Sequence, residues 1–160
     1  MFSSMTNAEV AKVFDEIADL LEMKGENQFK IRAYRQAART IKQLPSEIER
    51  MVRNEEDLED IPGIGDAIAA KIEDLVKTGH VKVHDELKAQ FPQGILDILN
   101  IPGVGPRTAW RLYTDLGVKS VAELERAIRD GRVAAMQRMG EKNARKILEA
   151  IESGEKRHNC

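Results

Sequence analysis

The chain has 160 residues, a net charge of −2 and one cysteine, Cys160. This length suits one domain or two small ones, and no apolar run reaches the ~20 residues needed to cross a membrane. One cysteine excludes an intrachain disulfide, and the three histidines add no zinc-binding spacing. The first five residues lack the charged start and apolar stretch of a signal peptide, so we expect a cytoplasmic protein.

Helical spacing of apolar residues runs through nearly the whole chain, and no segment alternates as a strand would. In chain order, the predicted helices cover about residues 7–24, 29–44, a short stretch after Ser46, 66–78, 84–90, 95–99, 106–116, 121–129 and 141–153. Thr6 or Asn7 is a candidate cap of the first helix, and Ser46 with Glu49 forms a candidate capping box for the third. The predicted fold class is therefore all-α.

The sequence Phe91-Pro92-Gln93-Gly94 is the best candidate for a linker. We therefore expect two small helical domains, residues 1–92 and 93–160. Trp110 is predicted to pack in the core, whereas His80 and His84 are predicted to lie on the surface.

Charge is unevenly distributed along the chain. Residues 28–43 hold five cations and no acid, namely Lys30, Arg32, Arg35, Arg39 and Lys42. Residues 47–60 hold seven acids and only two arginines. The four cations from Arg32 to Lys42 recur at 3-4-3 spacing, which places them on one face of the second helix, apart from its apolar face. A charge block of this kind often means only a solvated helix face.

A short phrase occurs twice: Ile61-Pro62-Gly63-Ile64-Gly65 and Ile101-Pro102-Gly103-Val104-Gly105. Each copy precedes a predicted helix and is followed by an alanine and a cation at matching positions, which are Ala69 and Lys71 in the first and Ala109 and Arg111 in the second. A single G-x-G is weak evidence of a site. Two copies with the same neighbours predict a repeated structural unit with a shared role.

The glycines of this repeat predict a phosphate-binding turn. We expect them to adopt positive φ and to leave the backbone N–H groups of Gly63, Gly65, Gly103 and Gly105 open to an anion. The helix that follows each turn points the positive end of its dipole at the same place. Arg107 and Arg111 are candidate flanking contacts. This arrangement resembles the helix-hairpin-helix motif, which holds the phosphates of DNA without reading its bases.

A third, degenerate copy fits a shift of 75 residues from the first. That shift aligns Gly140 with Gly65 and Lys146 with Lys71, but it places Arg138 where the first copy has Gly63. The close backbone approach is then lost, so residues 136–151 are interpreted as structural.

The stretch from Phe29 to Ala38, followed by the first hairpin, resembles the N-terminal region of family X DNA polymerases, in particular the bacterial and archaeal branch. The similarity extends from about Asn7 to Glu152. It implies that the first domain is a deoxyribose-phosphate-lyase-like domain that grips the 5′-phosphate at a DNA gap. It also implies that the second domain, with the second hairpin, holds the primer-strand backbone of DNA.

The resemblance also defines what these 160 residues lack. The family polymerises DNA with a palm domain in which three aspartates bind two magnesium ions, and no palm follows here. We therefore expect no polymerase activity from this chain, and we leave open whether it is a fragment or a free-standing protein. DNA is the expected partner, with other repair proteins or a separate palm as further possibilities, and the protein is expected near the nucleoid in a prokaryote.

The resemblance assigns roles to individual residues. Lys71 matches the lysine that forms a Schiff base with an opened abasic sugar, after which the 3′-phosphate leaves by β-elimination. Lys30 matches a 5′-phosphate ligand, and Tyr34 matches a residue that packs and positions the lyase pocket. With Lys30, the neighbouring Arg32 and Arg35 are the DNA-binding candidates of this domain.

Three positions depart from the family pattern of the lyase pocket. Phe29 stands where the animal repair enzyme has a stacking histidine, while Ala67 and Val83 replace lysines. These losses weaken the lyase hypothesis.

The family also wraps a monovalent cation, Na⁺ or K⁺, in the backbone carbonyls of each hairpin turn. The matching carbonyls belong to Glu59, Ile61 and Ile64 in the first turn and to Leu99, Ile101 and Val104 in the second. No organic cofactor is expected.

Three functions remain open at this point. The leading hypothesis is a module that binds gapped or nicked DNA through its phosphates, without sequence specificity. The second is a 5′-deoxyribose-phosphate lyase that uses Lys71 in base excision repair. The third is a protein-interaction domain, which the near-neutral net charge would suit.

Overall fold

The computed structural model describes residues 5–158, and the side chains of residues 5–154. Residues 1–4, which the signal-peptide prediction concerned, and Cys160 lie outside this range. The described helices are α1 (Asn7–Lys24), α2 (Gln28–Gln43), α3 (Ile48–Arg53), α4 (Asp66–Thr78), α5 (Lys82–Lys88), α6 (Gln93–Leu99), α7 (Pro106–Leu116), α8 (Val121–Arg129) and α9 (Gly140–His158). A 3₁₀ turn, Leu58–Asp60, precedes the first hairpin. Over residues 5–158 no strand occurs, and the all-α prediction is confirmed.

The chain divides between Leu87 and Lys88 into two compact units, called unit 1 and unit 2 below. The domain boundary predicted from the sequence lies after Pro92, five residues further along the chain. Phe91 packs edge-on against Trp110, with ring centroids 6.0 Å apart, and Gly94 lies against the backbone of Lys119. The proposed linker residues therefore belong to the packing of unit 2.

Unit 1 is built around α1 and α2, which pack along each other. Phe14 and Ile17 of α1, Ile41 of α2 and Ile72 of α4 are completely buried. The buried residues of each of these helices recur at helical spacing, so each helix presents a continuous apolar face to the shared core. Thr6 caps α1 and forms a capping box with Glu9, as one of the two predicted caps.

The prediction for the start of α3 is wrong. Ser46 does not cap this helix, because Glu47 occupies the N-cap position without a side-chain cap bond. The Asn7 side chain performs this role from α1: its Oδ1 accepts the Ile48 N–H at 2.8 Å and its Nδ2 donates to the Ser46 carbonyl at 2.9 Å. A tertiary contact has therefore replaced the local cap.

The prediction for His84 is also wrong, because this residue is buried rather than on the surface. Its Nε2 lies 2.8 Å from Oε1 of Glu16, which joins α5 to α1. A buried imidazole needs a hydrogen-bond partner, and α1 provides one from a distant part of the sequence.

Unit 2 has a separate core. Ile98, Leu112, Leu124 and Val133 are almost completely buried within it. Trp110, which the sequence predicts in the core, is 36% exposed and packs against Tyr113 as well as Phe91. The last helix is longer than predicted and begins one residue earlier, at Gly140.

Candidate nucleic-acid interface

The two hairpin turns share one backbone geometry. The N–H of Ile64 donates to the Ile61 carbonyl at 3.0 Å, and the N–H of Val104 donates to the Ile101 carbonyl at the same distance. The glycine before each donor has a positive φ, +94° at Gly63 and +91° in the second copy. With proline at the preceding position, this is the pattern of a type II turn, which requires a positive φ there and so favours glycine.

The second glycine of each turn differs from the prediction, because its φ is not positive. Gly65 (φ −87°, ψ 178°) and Gly105 (φ −97°, ψ 176°) are extended and serve as the N-caps of α4 and α7. A Cβ built on either glycine would meet no atom within 4 Å. The folded chain therefore does not require glycine at these positions, and there is open space at the Cβ position of each of these N-cap residues.

Buried aliphatic side chains hold both turns in place. Ile61 and Ile64 in the first turn, and Ile101 and Val104 in the second, are each no more than 8% exposed. The apolar side chains point into the core, so the polar backbone of the turn faces outward in a fixed geometry. The carbonyls of Ile61 and Ile101 already accept the turn hydrogen bonds, and each retains a second lone pair. The monovalent-cation site at these carbonyls and at Glu59, Ile64, Leu99 and Val104 stays a prediction.

Unit 2 places four of its arginines together beside the second hairpin. Arg107, Arg111, Arg132 and Arg138 line an open groove of about 780 Å³, called the arginine groove below. Asp115 is the carboxylate that lines it with them. Arg107 and Arg111 were predicted as flanking contacts, whereas Arg132 was not singled out and Arg138 was interpreted as structural. The alignment of the third copy was the signal that could have drawn attention to Arg138.

The two units also differ in charge. From the sequence, residues 88–160 contain 13 Lys and Arg against nine Asp and Glu, a net charge of +4. Residues 1–87 contain 12 against 18, a net charge of −6. The overall charge of −2 therefore conceals a basic unit, and attraction to a polyanion is concentrated in unit 2.

The cationic face of α2 is partly engaged by α1. Arg35 lies 2.9 Å from Asp19 and 3.3 Å from Glu22, and Lys42 lies 3.1 Å from Asp15. Arg35 therefore stabilises unit 1, and its guanidinium is not free for DNA. Lys30 and Arg32 are exposed, and no described residue forms an ion pair with either.

Burial has the same effect on one titratable group of α1 and one of α2. It raises the pKa of Asp19, although the Arg35 guanidinium acts to lower it. It also raises the pKa of Tyr34, whose ring stacks on Phe14 with centroids 6.1 Å apart. Tyr34 is thus a core residue with a neutral phenol at physiological pH.

Lys71 is half-buried on α4 and lines a groove of about 370 Å³ in unit 1. Lys82 lines the same groove, as do the carboxylates Asp74 and Glu86. Phe29, which takes the position of a stacking histidine in the family, is 78% exposed at the start of α2. The groove can admit a small substrate, but two carboxylates accompany its two amines.

Within residues 5–154, no group of three or more His, Cys, Asp and Glu side chains could hold a metal ion. None of the described helices is long and apolar enough to span a membrane.

Comparison with known families matches both units. Residues 5–81 match the model of a helix-hairpin-helix domain. Residues 95–153 match the model of a SAM-like helix-hairpin-helix tandem.

Three relatives extend the comparison. The chain is 29% identical over 147 residues to the DNA polymerase/3′-5′ exonuclease PolX of Bacillus subtilis, covering 92% of this chain and 25% of that protein. It is 32% identical over 120 residues to the DNA nucleotidylexotransferase of Ambystoma mexicanum and 25% identical over 120 residues to DNA polymerase lambda of Arabidopsis thaliana. Each of these two alignments covers 74% of this chain and 22% of the relative.

The chain thus spans a quarter or less of the length of these relatives. The shared region nevertheless covers both units and both hairpins. The chain contains helix-hairpin-helix domains in both of its units and is homologous to the N-terminal region of family X DNA polymerases.

Proposed function

We propose that the chain binds DNA through its backbone phosphates, without sequence specificity, and that it prefers gapped or nicked DNA. The helix-hairpin-helix domains and the DNA-processing relatives support DNA as the partner. The proposed role is that of the DNA-holding region of a family X polymerase, in which the chemistry of polymerisation belongs to another part.

The observation that supports this proposal most directly is the open space at Gly65 and Gly105. Neither residue needs to be glycine for conformational reasons, and neither would clash with its surroundings as alanine. A ligand that approaches the backbone closely explains both glycines. A phosphate oxygen fits, because the positive end of a helix dipole lies beside this open space.

The preference for a gap follows from having two such turns in two separate units. Each turn can hold phosphates of one short stretch of backbone, and a gap or nick gives DNA the freedom to bend so that both stretches are bound. Contacts of this kind fix the register of the protein on DNA but do not select bases.

The test is a fluorescence-anisotropy titration of the full chain with three labelled duplexes, which are intact, nicked, and gapped by one nucleotide. We expect the gapped duplex to bind most tightly and base sequence to have little effect. The logarithm of the binding constant should fall linearly with the logarithm of salt concentration, with a slope of about −0.9 for each phosphate contacted. Equal binding to an uncharged decoy, or binding insensitive to salt, would contradict the proposal and favour a protein partner.

A second candidate function, deoxyribose-phosphate lyase, is favoured by the position of Lys71. This half-buried residue lies on the helix that leaves the first hairpin and lines an open groove. Asp74 and Glu86 weaken this candidate, because they place negative charge where a 5′-phosphate would have to approach.

Borohydride trapping on gapped DNA with a 5′-deoxyribose phosphate tests it directly. A covalent adduct that Lys71→Ala abolishes, and that the neighbouring Lys82→Ala retains, would establish the lyase. Tight binding without an adduct would leave DNA binding as the function and exclude the lyase.

A further inference from the structure

The third, degenerate copy of the hairpin forms a turn like those of the other two. The N–H of Met139 donates to the Met136 carbonyl at 3.1 Å, as Ile64 does to Ile61, and the N–H of Met136 donates to the Val133 carbonyl at 3.1 Å. Met139 is 9% exposed and anchors this turn in the core of unit 2. The turn is therefore preserved even though the glycine that normally permits it is missing.

Arg138 occupies the position of that glycine and, like it, has a positive φ. Its φ is +65°, in the left-handed region that arginine rarely enters. Arginine at such a position strains the backbone, and strained residues that persist in folded proteins tend to cluster at functional sites. A glycine here would relieve the strain, so the arginine side chain needs a reason to be present.

The side chain of Arg138 is exposed, and no ion pair or hydrogen bond joins it to any residue that the structure describes. Intramolecular pairing therefore does not explain it. Arg138 lines the arginine groove with Arg107, Arg111 and Arg132. Arg111 donates to the Gln137 carbonyl at 2.5 Å, which ties α7 to the third turn, and Arg132 lies 3.5 Å from Asp130.

A smaller groove of about 240 Å³ connects this cluster to the second hairpin. Gly103, Arg111, Arg138 and Lys146 line it. The cationic surface therefore continues from the open turn of the second hairpin to the third turn. A charged polymer that contacts the Gly103 turn can reach Arg138 along this surface.

We propose that the third turn is a further phosphate-binding site, at which Arg138, with Arg132, Arg107 and Arg111, holds the phosphodiester backbone of the nucleic acid bound at the second hairpin. This inference rests on the proposed function. The arginine side chain replaces the backbone N–H groups that the other two turns offer, because a guanidinium can reach a phosphate that the turn itself does not approach.

The strain at Arg138 provides a discriminating experiment on the full chain. Arg138→Gly should raise the melting temperature of unit 2 by a few degrees, because it relieves the positive φ, and should weaken binding to gapped DNA. Arg138→Gln should weaken binding to gapped DNA without raising the melting temperature. Arg138→Lys should retain much of the DNA binding. If Arg138 had only a structural role, Arg138→Gly would instead lower the melting temperature and leave the affinity for gapped DNA unchanged.

Salt dependence measures the number of contacts. We expect Arg138→Gln to reduce the magnitude of the salt slope by about 0.9, and the double variant with Arg132→Gln by about twice that amount. Arg145→Gln is the matched control, since this exposed arginine of α9 lines neither groove and loses the same charge. Equal slopes for Arg138→Gln and Arg145→Gln would overturn the inference.

Alanine at both Gly65 and Gly105 separates this inference from the proposed function. If that variant weakens DNA binding but Arg138→Gln does not, only the third site is wrong. If neither variant weakens it, hairpin binding and the third site both fail. Polyglutamate provides the last comparison: if it displaces gapped DNA at equal charge concentration, the arginine groove is an acidic-protein site and the inference is overturned.

Discussion

Alanine substitutions at the hairpin glycines should separate stability from DNA binding. At Gly63 and Gly103 the positive φ makes any side chain strained, so alanine should cost about 1–3 kcal/mol of unfolding free energy. At Gly65 and Gly105 the backbone is extended and the Cβ site is empty. Alanine there should gain about 0.4–1 kcal/mol from a less flexible unfolded chain and lose a similar amount as a poorer N-cap.

The net change in stability at Gly65 and Gly105 should thus be below about 1 kcal/mol. Binding should change much more, because the methyl group occupies the space that a phosphate needs. Loss of one charge-assisted hydrogen bond, about 1.5–3 kcal/mol, corresponds to a dissociation constant about tenfold to a hundredfold higher.

Two assays on the same variants measure these effects. Urea denaturation followed by circular dichroism gives the unfolding free energy, and anisotropy with a gapped duplex gives the dissociation constant. The reasoning is refuted if the Gly65→Ala and Gly105→Ala variants bind DNA like the wild type. It is also refuted if they lose as much stability as Gly63→Ala and Gly103→Ala, because the fold itself would then require all four glycines.

Three further predictions concern the packing and charge of each unit. Gly94→Ala should destabilise unit 2 by about 3 kcal/mol or more, because its Cβ would lie 1.8 Å from the Lys119 carbonyl oxygen and backbone would have to move; denaturation measures this. Arg35→Gln should cost unit 1 about 1–2 kcal/mol by leaving Asp19 and Glu22 without their cation, whereas Arg32→Gln should leave stability nearly unchanged and weaken DNA binding. Because burial raises the folded-state pKa of Asp19 above its usual 3.8, this group binds its proton more readily in the folded chain. As pH rises from 3.8 through the folded pKa, wild type should therefore lose stability relative to Asp19→Asn, as measured by melting temperature.

Each of these three has a control or a contradicting outcome. Gly154→Ala is the control for Gly94, since it lies in α9 with open space at its Cβ and should stabilise the helix by about 0.5–1 kcal/mol. Equal stability losses for the Arg35 and Arg32 variants would show that the α1–α2 ion pairs contribute nothing. A constant difference in melting temperature between wild type and Asp19→Asn across the acidic range would contradict the raised pKa.

Local patterns in the sequence sufficed for the helices and for the hairpins. Apolar residues at helical spacing specify an amphipathic helix wherever it packs, and the Pro-Gly pair at 62–63 specifies a type II turn without help from the rest of the chain. The family resemblance followed from the same local features. The caps were less predictable, because Ser46 had the right residue type for a local cap and Asn7 replaced it from another helix.

The sequence by itself determined an all-α chain with two Gly-rich turns, because turn geometry and helical periodicity depend on neighbouring residues. Only the tertiary structure decided which cations are available. Arg35 and Arg32 share one helical stripe, but α1 brings carboxylates to the first and not to the second. Arg138 and Arg107 are far apart in sequence, and packing in unit 2 brings them to one groove. Charge availability depends on what lies across a helix interface, and periodicity within one helix does not contain that information.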